Sequence, residues 1–310
     1  MSAVLGSVRR RLVEGAAVTE VLEDDGWRPV PDDAPQPFDL PPVQPWRDLA
    51  GPAPDGTLLP FAPSSFRDFM LFERHVVAAS RGMARRYLPA AARFASVVER
   101  TTRRDFAAYR PKRIWFEQPI YYFGNALTFV PTGTPVAVPT YTAALDYELE
   151  LGVVIDRPLR DATVEEAHAA ICAVVVVNDL SARDVQLREM RSGFGPQKSK
   201  HFQSSLSGAL VPRRGLPDLD ALSGWVRVNG EEVARSTTAG MRFTMAEAIA
   251  HASRSEQLFP GELFGSGTLP GCCGLEVGRL LEAGDRLELG LDGIGAIVHD
   301  VVAATPGSGS

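Results

Sequence analysis

The chain has 310 residues, 45% of them hydrophobic and 23% charged, with 32 Lys and Arg against 38 Asp and Glu for a formal charge of −6. That is ordinary globular composition, with length enough to bury a sizeable core as one large domain or two medium ones. Mild acidity without a basic block argues against nucleic acid or an anionic membrane as partner, and the longest apolar run, Ala169–Val177, falls far short of the roughly 20 residues that span a bilayer.

The opening residues Met1–Ser7, followed by Arg9–Arg11, lack the apolar stretch of a secretory signal. Three cysteines make no disulfide framework. Cys172 lies in the apolar run and reads as core, while Cys272 and Cys273 are adjacent rather than spaced as metal ligands, so a reducing cytoplasm is expected. Arg9–Val13 and Ala16–Leu22 around Glu14-Gly15 predict a hairpin, with a turn at Asp24-Asp25-Gly26 before Trp27. Pro29–Pro63 holds eleven of the 24 prolines; it predicts an extended connector ordered by Phe38, Leu40 and Trp46. Ser65 to Arg86 predicts one amphipathic helix, with Phe69, Phe72, Val76 and Ala79 near helical spacing. From Ile114 the pattern turns to strands: Ile120–Phe123, Pro135–Val138, Leu145–Ile155, Ile171–Val177, Gly224–Val228, Arg286–Leu291 and Ala296–Val302. Helices interrupt at Val164–Ala170, capped at Thr163, at Asp184–Met190 and at Thr244–Ser253. The mixture predicts a β-rich α+β domain of curved or sandwiched sheets, without a dinucleotide or phosphate-cradling glycine motif. Gly307–Ser310 reads as a flexible tail.

Asp146-Tyr147-Glu148-Leu149-Glu150-Leu151 carries the densest chemistry. On a strand Asp146, Glu148 and Glu150 share one face. Two readings stand open: a solvated face of a half-exposed strand, or a site for a hard divalent cation that relieves mutual repulsion. The apolar strand Ala173–Val177 ends in Asn178-Asp179, a carboxylate that needs a partner. Ser181 or Asp184 could cap the helix that follows, and Arg183 could be a surface charge.

Three blocks, Asp146–Ile155, Asn178–Gln186 and Gly195-Pro-Gln-Lys198-Ser-Lys200-His-Phe, together with Gly265-Ser-Gly-Thr268 and Gly274-Leu-Glu276-Val-Gly, resemble the fumarylacetoacetate hydrolase family in order and spacing over residues 66 to 303. The resemblance implies a catalytic domain of mixed curved β-sheets, a β-sandwich roll, at 61–304. A small N-terminal β module with its proline-rich connector occupies 1–60, and a tail 305–310. It implies a divalent cation, Mg²⁺ first with Mn²⁺ or Ca²⁺ as alternatives, on Asp68, Glu148, Glu150 and Asp179. His75 stands seven residues after Asp68, two helical turns, which would aim both from one helix face into one cavity. His75 then matches the family's general base, Glu276 the carboxylate that orients it, and Lys200 the active-site lysine, with Lys198 a loop charge beside it. Arg183, Gln186, Tyr122 and Thr268 match substrate-pocket positions. Met70 stands where relatives active on fumarylacetoacetate carry a Tyr, and loop Leu187–Gln197 also differs, so the resemblance reaches the chemistry and leaves the substrate open.

The implied activity is hydrolysis of a C–C bond in a 1,3-dicarbonyl keto acid, an acylpyruvate or a fumarylacetoacetate-like compound. His75 and Glu276 would activate water, Lys200 would stabilise the oxyanion, Arg183 would clamp a carboxylate, and the cation would hold the enolate. Oxaloacetate decarboxylation and hydroxydienoate isomerisation or hydration are alternatives on the same site. A non-enzymatic metal-binding scaffold is a further one, and a homodimer is expected by analogy. No Gly-x-Ser-x-Gly elbow supports a serine nucleophile.

Overall fold

The computed structural model describes residues 6–31 and 33–304; the first five residues and the Gly307–Ser310 tail lie outside them. Strand Glu148–Ile155 is the axis of the architecture. Leu149, Leu151, Val153 and Ile155 enter one apolar cluster with Val226, Leu287, Leu289 and Ile297, whereas Val154 enters a second with Phe66, Phe129 and Val175. Every residue of this strand is buried, so the half-exposed alternative does not hold: the acidic positions face the interior.

A 12-stranded sheet contains the run Ala209–Pro212, Ile171–Asn178, Glu148–Ile155, Leu263–Cys273, Phe66–Phe69 and Tyr121–Gly124, each bonded to the next. The predicted hairpin forms, Val8–Val13 against Ala16–Glu23, and Glu14 and Gly15 adopt the positive φ that a tight hairpin turn demands. Val8 and Arg9 pair with Leu210 and Ala209, so this hairpin and strand Gly26–Pro29 extend the large sheet. A five-stranded sheet, with Arg286–Leu291 at its centre, covers the face of Leu149 and Leu151. Among the described residues no helix is long and apolar enough to cross a membrane.

Two predicted features need correction. Residues 65–86 are not one helix. Phe66–Phe69 is a strand, buried at every position, and helix α1 begins only at Glu73 and runs to Tyr87. The three-residue spacing of Phe66, Phe69 and Phe72 imitates a helix stripe, but these rings fill the interior beside Phe129, Phe264 and Tyr121. In the connector Phe38 is buried and Leu40 packs beside its cluster, whereas Trp46 is 52% exposed on the turn Pro45–Ala50 with the Arg47 guanidinium over its ring. Thr163 does cap its helix through a reciprocal box with Glu166. Helix α2, Pro89–Thr102, and the long strand Leu263–Cys273 were not anticipated.

Candidate functional site

Strand Leu263–Cys273 is the seat of the site because acidic strands flank it on both sides. Phe66–Phe69 runs parallel to it with Asp68 opposite Gly265, and Glu148–Ile155 runs antiparallel with Glu150 opposite Thr268. A Cβ at Gly265 would lie 2.7 Å from Glu150 Oε2 and 2.8 Å from Asp68 Oδ1, so only glycine lets both carboxylates approach. Asp179 follows strand Ile171–Asn178, where its N–H donates to the Glu148 carbonyl (3.2 Å) and the Asn178 side chain accepts from the Glu148 N–H (3.1 Å). Asp68, Glu150 and Asp179 each bring a carboxylate oxygen within 4.8 Å of the others. Asp68 and His75 therefore reach one cavity from a strand and from the start of the helix after it, not from two turns of a single helix.

Five buried carboxylates, Asp68, Asp146, Glu148, Glu150 and Asp179, meet two buried cations, Arg183 and Lys200. Arg183 Nε donates to Asp146 Oδ2 (2.7 Å), and a terminal nitrogen donates to Glu148 Oε1 (2.7 Å). Lys200 Nζ donates to Glu148 Oε2, to Asp179 Oδ2 (2.5 Å) and to the Asp179 carbonyl (3.3 Å). Burial works to raise the Glu148 carboxyl, but Arg183 and Lys200 outweigh it and hold it well below the usual range. Burial likewise opposes the Lys200 charge, and Asp179 and Glu148 raise its pKa regardless. For Asp68 and Glu150 the balance goes the other way. Burial pushes both carboxyls well above their usual range, and neighbouring carboxylates, Asp179 for Asp68 and Asp68 for Glu150, push further. Asp68 Oδ1 and both Glu150 oxygens are buried without a hydrogen-bond partner. Unsatisfied oxygens on clustered carboxylates fit a hard divalent cation, which Asp68, Glu150 and Asp179 could hold. Glu148 belongs to the same acidic group; its oxygens accept from Arg183 and Lys200, as those of Asp179 accept from Lys200, Tyr122 and Ser204.

The second half of the site is a pair. His75, in the first turn of α1, places Nδ1 2.7 Å from Glu276 Oε1, and both side chains are buried. Glu276 Oε2 accepts from the Gly271 N–H (2.9 Å), and the Cys273 thiol donates to Oε1 (3.4 Å). The short turn Gly274–Val277 that carries Glu276 is fixed by Asp146, whose carboxylate accepts from the Gly274 (2.6 Å) and Leu275 (3.0 Å) N–H groups. Asp146 thus ties the Glu276 turn to Arg183 and the acidic strand. Its signal in the sequence was its place two residues before Glu148.

All the site residues named from the sequence line one cavity of about 1130 Å³ except Asp179 and Glu276, which stand just behind Tyr122 and His75. Tyr122 donates its hydroxyl to Asp179 Oδ2 (2.6 Å), making it a partner of the carboxylate cluster as well as pocket wall. Thr268 is buried beside Glu150. Arg183 departs from its expected place as a free carboxylate clamp. It is buried and committed through all three nitrogens, to Asp146, Glu148 and the Gln186 side-chain oxygen (3.0 Å). Gln186 is left with its amide N–H for a ligand. Neither Ser181 nor Asp184 caps the helix Arg183–Arg191; Asp184 accepts instead from Thr142 and Ala143.

The family profile described as fumarylacetoacetate (FAA) hydrolase C-terminal matches residues 94–302, well over half of the chain. The chain belongs to the fumarylacetoacetate hydrolase family. Members of that family are enzymes, among them hydrolases, isomerases and tautomerases, and typically bind divalent metals. A rat relative, the mitochondrial oxaloacetate tautomerase FAHD1, is 34% identical over 180 residues, covering 57% of this chain and 78% of its own. Two solved structures share the fold at 20% identity. Fumarylacetoacetate hydrolase from Exiguobacterium antarcticum superposes with a TM-score of 0.69 over 97% of this chain and 100% of its own. The 2-hydroxyhepta-2,4-diene-1,7-dioate isomerase from Mycobacterium marinum does so at 0.67 over 98% and 100%. Asp68 and His75 precede the segment matched to the family profile, so their place in the site rests on the geometry above.

Proposed function

We propose that this family member is a divalent-cation-dependent hydrolase that cleaves the C–C bond of a 1,3-dicarbonyl acid of acylpyruvate or fumarylacetoacetate type. The observation that carries the reading is the buried His75–Glu276 pair, 2.7 Å apart, whose histidine lines the same cavity as Asp68 and Glu150, with Asp179 just behind. Glu276 accepts a hydrogen bond from Nδ1–H and leaves Nε2 as the basic nitrogen, the arrangement a water-activating histidine needs. A bound cation, Mg²⁺ or Mn²⁺, would supply Lewis-acid polarisation of the substrate's keto oxygens. His75 takes a proton from water and hydroxide adds to the acyl carbonyl. Lys200 turns an N–H from Glu148 or Asp179 toward the oxyanion, with the Gln186 amide beside it. The C–C electron pair leaves with the pyruvate fragment, and the proton held by His75 passes to that carbon.

A second reading draws on the rat oxaloacetate tautomerase at 34% identity: the same histidine would move a proton between carbon and oxygen without consuming water. We also propose a cytoplasmic setting, in keeping with three free cysteines, a homodimer, and a catalytic unit at 61–304. The test follows the ultraviolet band of enolised acylpyruvates with Mg²⁺ or Mn²⁺ and with EDTA. Cation-dependent loss giving pyruvate and a free acid supports the hydrolase. Enol–keto exchange of oxaloacetate without cleavage of any acylpyruvate replaces it with the tautomerase.

A further inference from the structure

The cavity is a little larger than most small-molecule pockets, and along α1 beyond His75 its lining is apolar except for Ser80. Val76, Ala79 and Met83 continue from His75 along one face of α1 at helical spacing, so at 1.5 Å rise per residue the stripe runs about 12 Å from the base. Leu187, Met190 and Phe194 face the same cavity, and Met190 and Phe194 are 52% and 83% exposed.

Charge sharpens the point. Among the described residues lining the cavity, the Lys and Arg side chains are Arg183 and Lys200, and both sit among the carboxylates at the acidic end. Of the histidines, His75 faces Glu276, and His201 stacks on Tyr122 with Nε2 3.2 Å from the Phe123 carbonyl. A carboxylate at the far end of a substrate would find no cationic side chain there to pair with. A methylene chain or a ring would bury apolar area instead.

We propose that the acyl group of the substrate is an uncharged apolar tail, an alkyl chain of several carbons or an aryl ring, lying along α1 from His75 to Met83. This narrows, and rests on, the assignment of the site to acylpyruvates. The reaction is RCO–CH₂–CO–COO⁻ plus water giving RCOO⁻, pyruvate and a proton, with R apolar.

The test compares kcat/KM for acetyl-, butanoyl-, hexanoyl- and benzoylpyruvate with that for carboxylate-ended succinylpyruvate, using the full chain and saturating Mg²⁺. Each pair of added methylenes should raise kcat/KM about tenfold, with hexanoyl- and benzoylpyruvate at least about tenfold above succinylpyruvate. Met83→Arg should cut the hexanoylpyruvate value and raise that of succinylpyruvate. Equal or better turnover of succinylpyruvate by the unmodified protein overturns the proposal. If nothing is cleaved, calorimetric binding of the same acids decides. Tighter binding of the apolar acids keeps the tail site and removes the hydrolase assignment; tighter binding of succinylpyruvate, or binding of neither, overturns the tail site.

Discussion

Glu148 and Glu150 share one face of one strand, two residues apart, and meet opposite surroundings: Glu148 is held between Arg183 and Lys200, whereas neither oxygen of Glu150 has a partner. Their substitutions should therefore part company. Glu150→Gln replaces a carboxyl whose ionisation burial and the neighbouring Asp68 oppose, and we expect it to lower cation affinity by about 100-fold or more. It should also raise the melting temperature of the cation-free protein by about 2–4 °C. Glu148→Gln leaves two buried cations short of a partner and should destabilise the fold by about 3–5 kcal/mol. Calorimetric titration with Mg²⁺ and thermal melts in EDTA check both, and matching behaviour of the two variants would contradict the division. At this scale the alternation of Asp146, Glu148 and Glu150 was legible in the sequence. Their partners were not: Arg183 meets Asp146 across 37 positions, and a single sequence carries no sign of that pairing.

At the scale of elements, α1 is the wall that carries the proposed base, His75, and it rests on the turn that carries Glu276. A Cβ at Gly82 would lie 2.2 Å from the Leu275 carbonyl oxygen. Alanine favours an isolated helix by about 1 kcal/mol over glycine, yet Gly82→Ala should lower the melting temperature here. By shifting α1 against the residue before Glu276 it should reduce kcat about 10–100-fold. Unchanged kcat in a folded variant would show that the close approach does not set the pair. Buried strands such as Ile171–Asn178 could be read from continuous apolar runs, and Thr163 from its capping pattern. Strand Leu263–Cys273 could not, because Gly265, Gly267, Pro270 and Gly271 read as breakers. At Gly265 that smallness is what admits Asp68 and Glu150, so local propensity and the needs of the site disagree there.

At the scale of the whole molecule, His299 joins the 12-stranded and the five-stranded sheets. From strand Gly295–Val302 its Nδ1 donates to the Thr134 carbonyl (2.6 Å), and Nε2 accepts from the Ser205 hydroxyl of strand Ser204–Leu206 (2.7 Å). Burial pushes its pKa down to about 4. A depressed histidine contributes stability that is complete above the unfolded value of 6.5 and is lost as pH falls toward 4, about 3 kcal/mol across that window. Denaturant unfolding of the wild type and His299→Gln from pH 7 to pH 4 checks this. The wild type should lose the larger share of its stability, and parallel curves would remove His299 as the cause. A β-rich α+β class was readable from strand spacing, whereas the strand order depends on pairings such as Phe66–Phe69 with Leu263–Cys273. These join segments far apart in the chain, for which local pattern holds no information.

The account turns on His75 as the base beside a cation held by Asp68, Glu150 and Asp179, and one comparison tests it most directly. Mg²⁺ affinity and acylpyruvate turnover are measured together for the wild type and His75→Gln. We predict cation affinity within about threefold of wild type, with turnover reduced by about 10²–10⁴-fold. Turnover that survives the substitution while Mg²⁺ still binds would contradict the account and place the base elsewhere in the cavity.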